Sequence, residues 1–85
     1  MQVGSEVIYT DEYRKDHMAL VTAIWGKDCI NLVYVSGDEG KTDPYGRQIE
    51  RETSCCRYST NGNSYGRCFR EVGVEATFIE HPVAR

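Results

Sequence analysis

Two strand-forming runs, ALVTAIW (residues 19–25) and INLVYV (residues 30–35), stand four residues apart, and nothing else in the chain restricts its fold as much. Both are rich in β-branched and aromatic residues, which suit a pleated, half-buried surface. The intervening GKDC leaves room only for a tight turn, so the two runs predict an antiparallel pair. In the second run Ile30, Leu32 and Tyr34 fall on one side, and Asn31, Val33 and Val35 on the other. Both sides are largely apolar. That predicts a sheet covered on more than one face, by curling into a barrel or by packing on a partner.

The remaining segments read as further short strands and connections. EVIY (residues 6–9) is a strand introduced by the Gly4-Ser5 turn. TDEYRKDHM (residues 10–18) has no sustained period and predicts a long exposed loop. SGDEGKTDPYGRQ (residues 36–48) is broken by Gly37, Gly40, Pro44 and Gly46. Asp43-Pro44 predicts at most a turn or two of helix through residues 48–52, against which Gly46 and Ile49 count. TSCCRYS and SYGRCFRE flank a hairpin signal at residues 60–63. A two-residue turn at Asn61-Gly62 places Cys55 opposite Cys68, and a one-residue change in the turn places Cys56 there. Val72, Val74, Ala76 and Phe78 alternate with Gly73, Glu75 and Thr77, which predicts a last strand or extended arm ended near Pro82. The sum is an all-β chain: a small barrel of about five strands over residues 1–72, with a C-terminal extra strand or arm over residues 73–85. Closing the sheet removes edges that invite aggregation.

The order "VGSEVIY", a polar loop, "ALVTAIWGKDCINLVYV", then a hairpin ending in "YGRCFRE" resembles an SH3-like barrel, with some likeness to KOW-type barrels. More closely, "HMALVTAIWGKDCINLVYVS" and "KTDPYGRQIERETS" resemble segments of small uncharacterised proteins encoded by bacteriophages and prophages, over roughly residues 3–72. Cys55-Cys56 stand where plain apolar residues would be expected, and the C-terminal arm is longer. The resemblance implies a fold and a phage setting, hence the cytoplasm of the host cell. It transfers no activity and no functional residue.

Charge narrows the function classes. The 85 residues carry a net charge of −3, which disfavours nucleic acid as a partner. No apolar run is long enough to span a membrane, and the N-terminus lacks the plan of a signal peptide, so a soluble cytoplasmic protein is expected. Residues 1–40 hold three basic and seven acidic side chains, whereas residues 41–70 hold six basic and three acidic. The stretch KTDPYGRQIERETSCCRY (residues 41–58) gathers Lys41, Tyr45, Arg47, Arg51 and Arg57. Arginine's planar fork suits carboxylates and phosphates, tyrosine adds a flat face and a hydroxyl, and both are frequent interface anchors. These residues predict a binding loop over 43–57. The plain alternative is a solvated surface neutralised by Glu50 and Glu52. A second candidate is the first loop, where Tyr9, Tyr13 and His17 with Asp11, Glu12 and Asp16 predict an acidic, aromatic groove wall. SH3 domains bind proline-rich peptides in such a groove, but the ALYDY-type and paired-tryptophan signatures are absent, which argues against that ligand.

Cys29, Cys55, Cys56 and Cys68 with His17 and His81 contain no C-x-x-C or H-x-x-x-H unit, so neither metal nor other cofactor is expected. The glycines match no P-loop, and a Cys–His pair is the only plausible nucleophilic arrangement. The expectation is a protein that is not an enzyme, with thiols that behave as small apolar residues in a reducing cytosol. The functional expectation is a non-catalytic phage-type binding protein, engaging a host or phage protein through residues 43–57 and so blocking a host defence or redirecting a host enzyme. The alternatives are a protein that sequesters an anionic nucleotide signal, and a minor virion component. Self-association through the C-terminal arm, by Val74, Phe78 and Ile79, is a further partner expectation.

Overall fold

The computed structural model describes residues 1–59 and 66–78. Seven strands follow one another: β1 (Glu6–Thr10), β2 (Asp16–Gly26), β3 (Cys29–Val35), β4 (Thr42–Asp43), β5 (Gly46–Arg47), β6 (Ile49–Arg57) and β7 (Cys68–Glu71). Five of them close into a barrel in the order β1-β2-β3-β6-β7, while β4 and β5 form a small hairpin of their own. The all-β, five-stranded closed barrel is the architecture expected of a small SH3-like barrel. No helix of the described residues is long and apolar enough to cross a membrane.

Inward side chains alternate along each strand. β1 contributes Val7 and Tyr9, β2 Ala19 and Val21, β3 Ile30 and Leu32, β6 Cys55, and β7 Phe69. Burying a side chain of valine to phenylalanine size contributes about 1.5–3 kcal/mol, so this single layer carries most of the stability. The outside is barer than expected. Met18, Leu20, Val35 and Ile49 are exposed, so the barrel covers one face of its sheet and the other lacks a cover among the described residues.

The seam corrects the predicted Cys55–Cys68 hairpin. β6 and β7 run parallel, with Cys56 facing Cys68 and Arg57 facing Phe69. Parity requires such a pair somewhere in the ring, and the antiparallel pairing of all the other neighbours puts it at this seam. Strands around a ring can alternate direction throughout only if their number is even, so five strands force one parallel neighbour pair. The predicted turn at residues 60–63 lies outside the described residues, as do Ile79, His81 and Pro82.

Two other expectations change, and the choice between a last strand and an arm is settled for residues 72–78. The first loop is short, because Asp16 and His17 already pair with Thr10 and Tyr9 across β1. The helical turn predicted from Asp43 through residues 48–52 is instead the β4–β5 hairpin followed by the start of β6; in the hairpin Asp43 Oδ1 accepts the Tyr45 N–H at 2.8 Å and Gly46 takes a φ of 127°. The arm forms no strand over residues 72–78, since a closed ring has no free edge to offer it. It turns back where the Val74 N–H donates to the Glu71 carbonyl. The Tyr58 hydroxyl then accepts from Thr77 N–H and donates to its carbonyl, and the Tyr58 and Phe78 rings meet edge to face at 5.2 Å.

Candidate functional site

The inward rows end in polar groups at one mouth of the barrel. Val7 leads to Tyr9, Ala19 to His17, and Leu32 to Tyr34. On β6 the row passes from Cys55 to Glu52, three residues away, which a regular strand would place on opposite faces. A bulge makes up the difference. Ile30 faces Cys55 and Leu32 faces Glu52, so β6 carries one extra residue there. Ser54 absorbs it with a φ of 51°, its N–H held by Asn31 Oδ1 at 2.8 Å. That oxygen also accepts the Trp25 indole N–H.

The result is an open cleft of about 580 Å³. Its floor is an aromatic cluster, with ring centroids 4.9 Å apart for Tyr9 and Tyr34 and 4.6 Å for His17 and Tyr34. Five carboxylates line it, from Asp11, Glu12, Asp38, Glu50 and Glu52, against the cations Lys15, Lys41 and Arg67. Arg67 bridges Glu12 at 3.1 Å and Glu52 at 3.4 Å, and Lys41 reaches Glu50 at 3.4 Å. Burial raises the Tyr34 phenol, and Glu50, Glu52 and Asp11 raise it further. Tyr9 is pushed up in the same way, first by burial and then by Glu52. Both phenols therefore stay neutral and keep their protons.

The predicted groove wall is largely assembled here. Tyr9, Asp11, Glu12, Tyr13 and His17 all line the cleft, with Tyr13 exposed at its rim. Asp11 organises the turn: its Oδ1 accepts the N–H groups of Tyr13 and Lys15, and its Oδ2 pairs with His17 Nε2 at 2.8 Å. Asp16 belongs elsewhere, because alternation along β2 turns it outward. There it accepts from Thr10 Oγ1 at 2.6 Å and pairs with the half-buried Arg70 at 3.0 Å.

The residues expected to form one basic loop are spread out. Lys41 lines the cleft, Tyr45 is 96% exposed at the tip of the β4–β5 hairpin, and Arg47 donates to the Ser36 carbonyl at 2.9 Å. Arg51 faces outward on β6, opposite Val33. Arg57 sits at the far end of β6, on the order of 20 Å from Arg51 at the rise of an extended strand. It binds Asp28 at 2.9 Å and Glu71 at 3.4 Å, with its guanidinium 4.9 Å above the Phe69 ring. Sequence reasoning missed Tyr34, Glu50, Glu52 and Arg67 as members of one site. The alternation Ile30, Leu32, Tyr34 was the available signal for the first of them. No group of three or more His, Cys, Asp or Glu side chains among the described residues is arranged to hold a metal ion.

Two aspartates make stability sensitive to acid. Burial pushes Asp11 up, but hydrogen bonds from His17, Lys15 and Tyr13 outweigh it and hold the carboxyl below its ordinary value. For Asp16 the opposing partners are Arg70 and Thr10, with the same net direction. A folded-state value below the unfolded one means stability that is present above the unfolded value and lost as pH falls through the folded one. Urea midpoints are expected to hold steady down to about pH 5 and then fall toward pH 2. In Asp11→Asn the fall should be shallower than in wild type, whatever the variant's starting stability.

No family model matches the chain. Comparison with curated proteins and with solved structures likewise gives no significant match.

Proposed function

We propose that this protein is a non-catalytic binding module that holds a basic side chain of a protein partner in the cleft at the open mouth of its barrel. One observation carries the reading. Tyr9 is 2% exposed, yet its hydroxyl opens on the cleft with no hydrogen-bond partner among the described residues. A neutral phenol over an aromatic floor, surrounded by carboxylates, fits a group that donates hydrogen bonds and carries positive charge. Aromatic faces attract cations, and a guanidinium both stacks on a ring and forks a carboxylate. Arginine is therefore favoured over lysine, whose ammonium is a compact, strongly hydrated charge.

A macromolecular partner fits the rim better than a free small cation does. Tyr13 and Tyr45 project into solvent beside the cleft and on the hairpin tip, and tyrosine is a frequent anchor of protein interfaces. The likeness to phage-encoded proteins favours a host or phage protein, met in the host cytoplasm. An anionic nucleotide would face five carboxylates against three cations, a net negative lining that speaks against the sequestering alternative.

The test is a titration of the ¹⁵N-labelled chain with short arginine, lysine and glutamate peptides, and separately with nucleoside monophosphates. Amide shifts are expected around the cleft, strongest for arginine and weakened by salt. Replacing Glu50 and Glu52 together by glutamine should weaken binding at least tenfold, since hydrogen bonds to charged groups are worth about 1.5–3 kcal/mol each. Shifts with the nucleotides and none with basic peptides would overturn the reading.

A further inference from the structure

The four cysteines occupy three different settings. Cys55 is buried in the core, where burial pushes its thiol up to about 12. Cys29 and Cys56 face each other directly across β3 and β6, on the outer wall, the first half-buried and the second exposed. The local ladder brings them close. The Arg57 N–H donates to the Asp28 carbonyl at 3.0 Å, one residue beyond Cys56 and one before Cys29. That bond marks Cys29 and Cys56 as a non-hydrogen-bonded pair. In such pairs the Cα atoms are about 4.5 Å apart and the side chains are at their closest, within the roughly 4.4–6.8 Å that a disulfide spans. Cys68 flanks Cys56 on the other side, across the parallel seam, but it is 1% exposed.

We propose that Cys29 and Cys56 form a reversible thiol–disulfide exchange site on the outer wall of the barrel, oxidised by low-molecular-weight disulfides of the glutathione class. The Cys56 thiolate attacks one sulfur of the small disulfide, breaking its S–S bond, forming a mixed disulfide and releasing one small thiolate. The Cys29 thiolate then attacks the Cys56 sulfur of that mixed disulfide, closing the Cys29–Cys56 bond and releasing the second small thiolate. Two protein thiols lose two electrons in all, the small disulfide gains them, and the two protons end on the departing thiols. Cys56 attacks first because it is the exposed partner, and Cys29 resolves because it stands opposite. An exposed bond across a single strand pair is of the labile kind that responds to the surrounding redox poise. Once formed, it ties β3 to β6 and closes the loop that carries Tyr34, Glu50 and the β4–β5 hairpin.

The experiment equilibrates the full reduced chain with graded mixtures of reduced and oxidised glutathione, blocks free thiols with iodoacetamide, and maps the peptides by mass. The expected product is one linked Cys29–Cys56 peptide, reversed by excess reduced glutathione. Cys68→Ser should retain it. Cys29→Ser should stop at a glutathione adduct on Cys56. A Cys56–Cys68 link, or no protein disulfide in a chain that circular dichroism shows folded, would overturn the proposal. Phenylarsine oxide, which bridges two adjacent thiols, is a second measurement independent of oxidation: it should bind wild type and Cys68→Ser alike and lose its tight binding in Cys29→Ser. Equal binding to Cys29→Ser would count against the pair.

Discussion

Phe69→Ala is expected to cost about 3–5 kcal/mol of folding stability, the range for truncating a buried aromatic side chain. Phe69 is fully buried, and it stands where the barrel closes. Its backbone pairs with Tyr9 on one side and with Arg57 on the other, so the same side chain packs the core and holds the parallel seam. The Arg57 guanidinium lies over its ring and would lose that face as well. Native domains of this size have a total stability of about 4–13 kcal/mol, so the variant should lie near or beyond the point of unfolding. Urea denaturation followed by circular dichroism gives the comparison. Leu20→Ala, on the exposed outer face, should cost less than about 1 kcal/mol, because its side chain is already half in water. A Phe69→Ala midpoint no lower than that of Leu20→Ala would mean that the seam is not where the barrel's stability resides.

The strand pair β2–β3 was legible in the residues because local pattern and a tight connection specify it, whereas the pairing of β1 with the start of β2 was hidden in a stretch without a period. Ile30, Leu32 and Tyr34 did take the inner side of β3. What local pattern could not convey was how the sheet closes. The antiparallel reading of residues 53–71 treated two strands as a hairpin, whereas a ring of five needs a parallel pair somewhere, and where it falls depends on the pairing of the whole chain. The alternation of residues 72–78 left a strand and an arm equally open, and the closed ring, which has no free edge, leaves them as an arm.

The residues of the candidate site were legible in kind and scattered in place. The first loop announced an acidic aromatic wall, and five of its six named residues line the cleft. The segment from Lys41 to Arg57 looked like one basic loop only because sequence proximity hides the length of an extended strand. Along β6, Arg51 points outward while Glu50 and Glu52 point into the mouth, so the acidic face of that segment lines the cleft and the basic face does not. The Ser54 bulge decides which face is which. A serine with positive φ in a strand interior leaves no mark in composition or periodicity, since only the pairing with Asn31 makes it necessary.

Gly66→Ala should be the most damaging small substitution near the cleft, at about 2–6 kcal/mol. Two effects combine. Gly66 has a φ of 109°, and holding alanine in such a conformation costs about 1–3 kcal/mol. The added methyl group would also run into the Asp11 carbonyl, with Glu12 Cα close behind, and overpacking of this sort costs about 1–3 kcal/mol. The backbone it meets cannot retreat easily, because the turn is held by the Asp11 N–H on the Lys15 carbonyl and the Arg14 N–H on the Asp11 carbonyl. Gly4→Ala separates the two effects. Gly4 has a φ of 92° with nothing within 4 Å of the new methyl group, so it carries the backbone cost alone. Thermal and urea denaturation of the pair should place Gly66→Ala well below Gly4→Ala. The functional consequence follows from the same contact: Asp11 and Glu12 form one wall of the cleft, so Gly66→Ala should also weaken arginine-peptide binding under conditions where the variant remains folded, while Gly4→Ala leaves it unchanged. Equal stability losses in the two variants would show that the loop before β7 does not press on the Asp11 turn, and the cleft wall would then need another support.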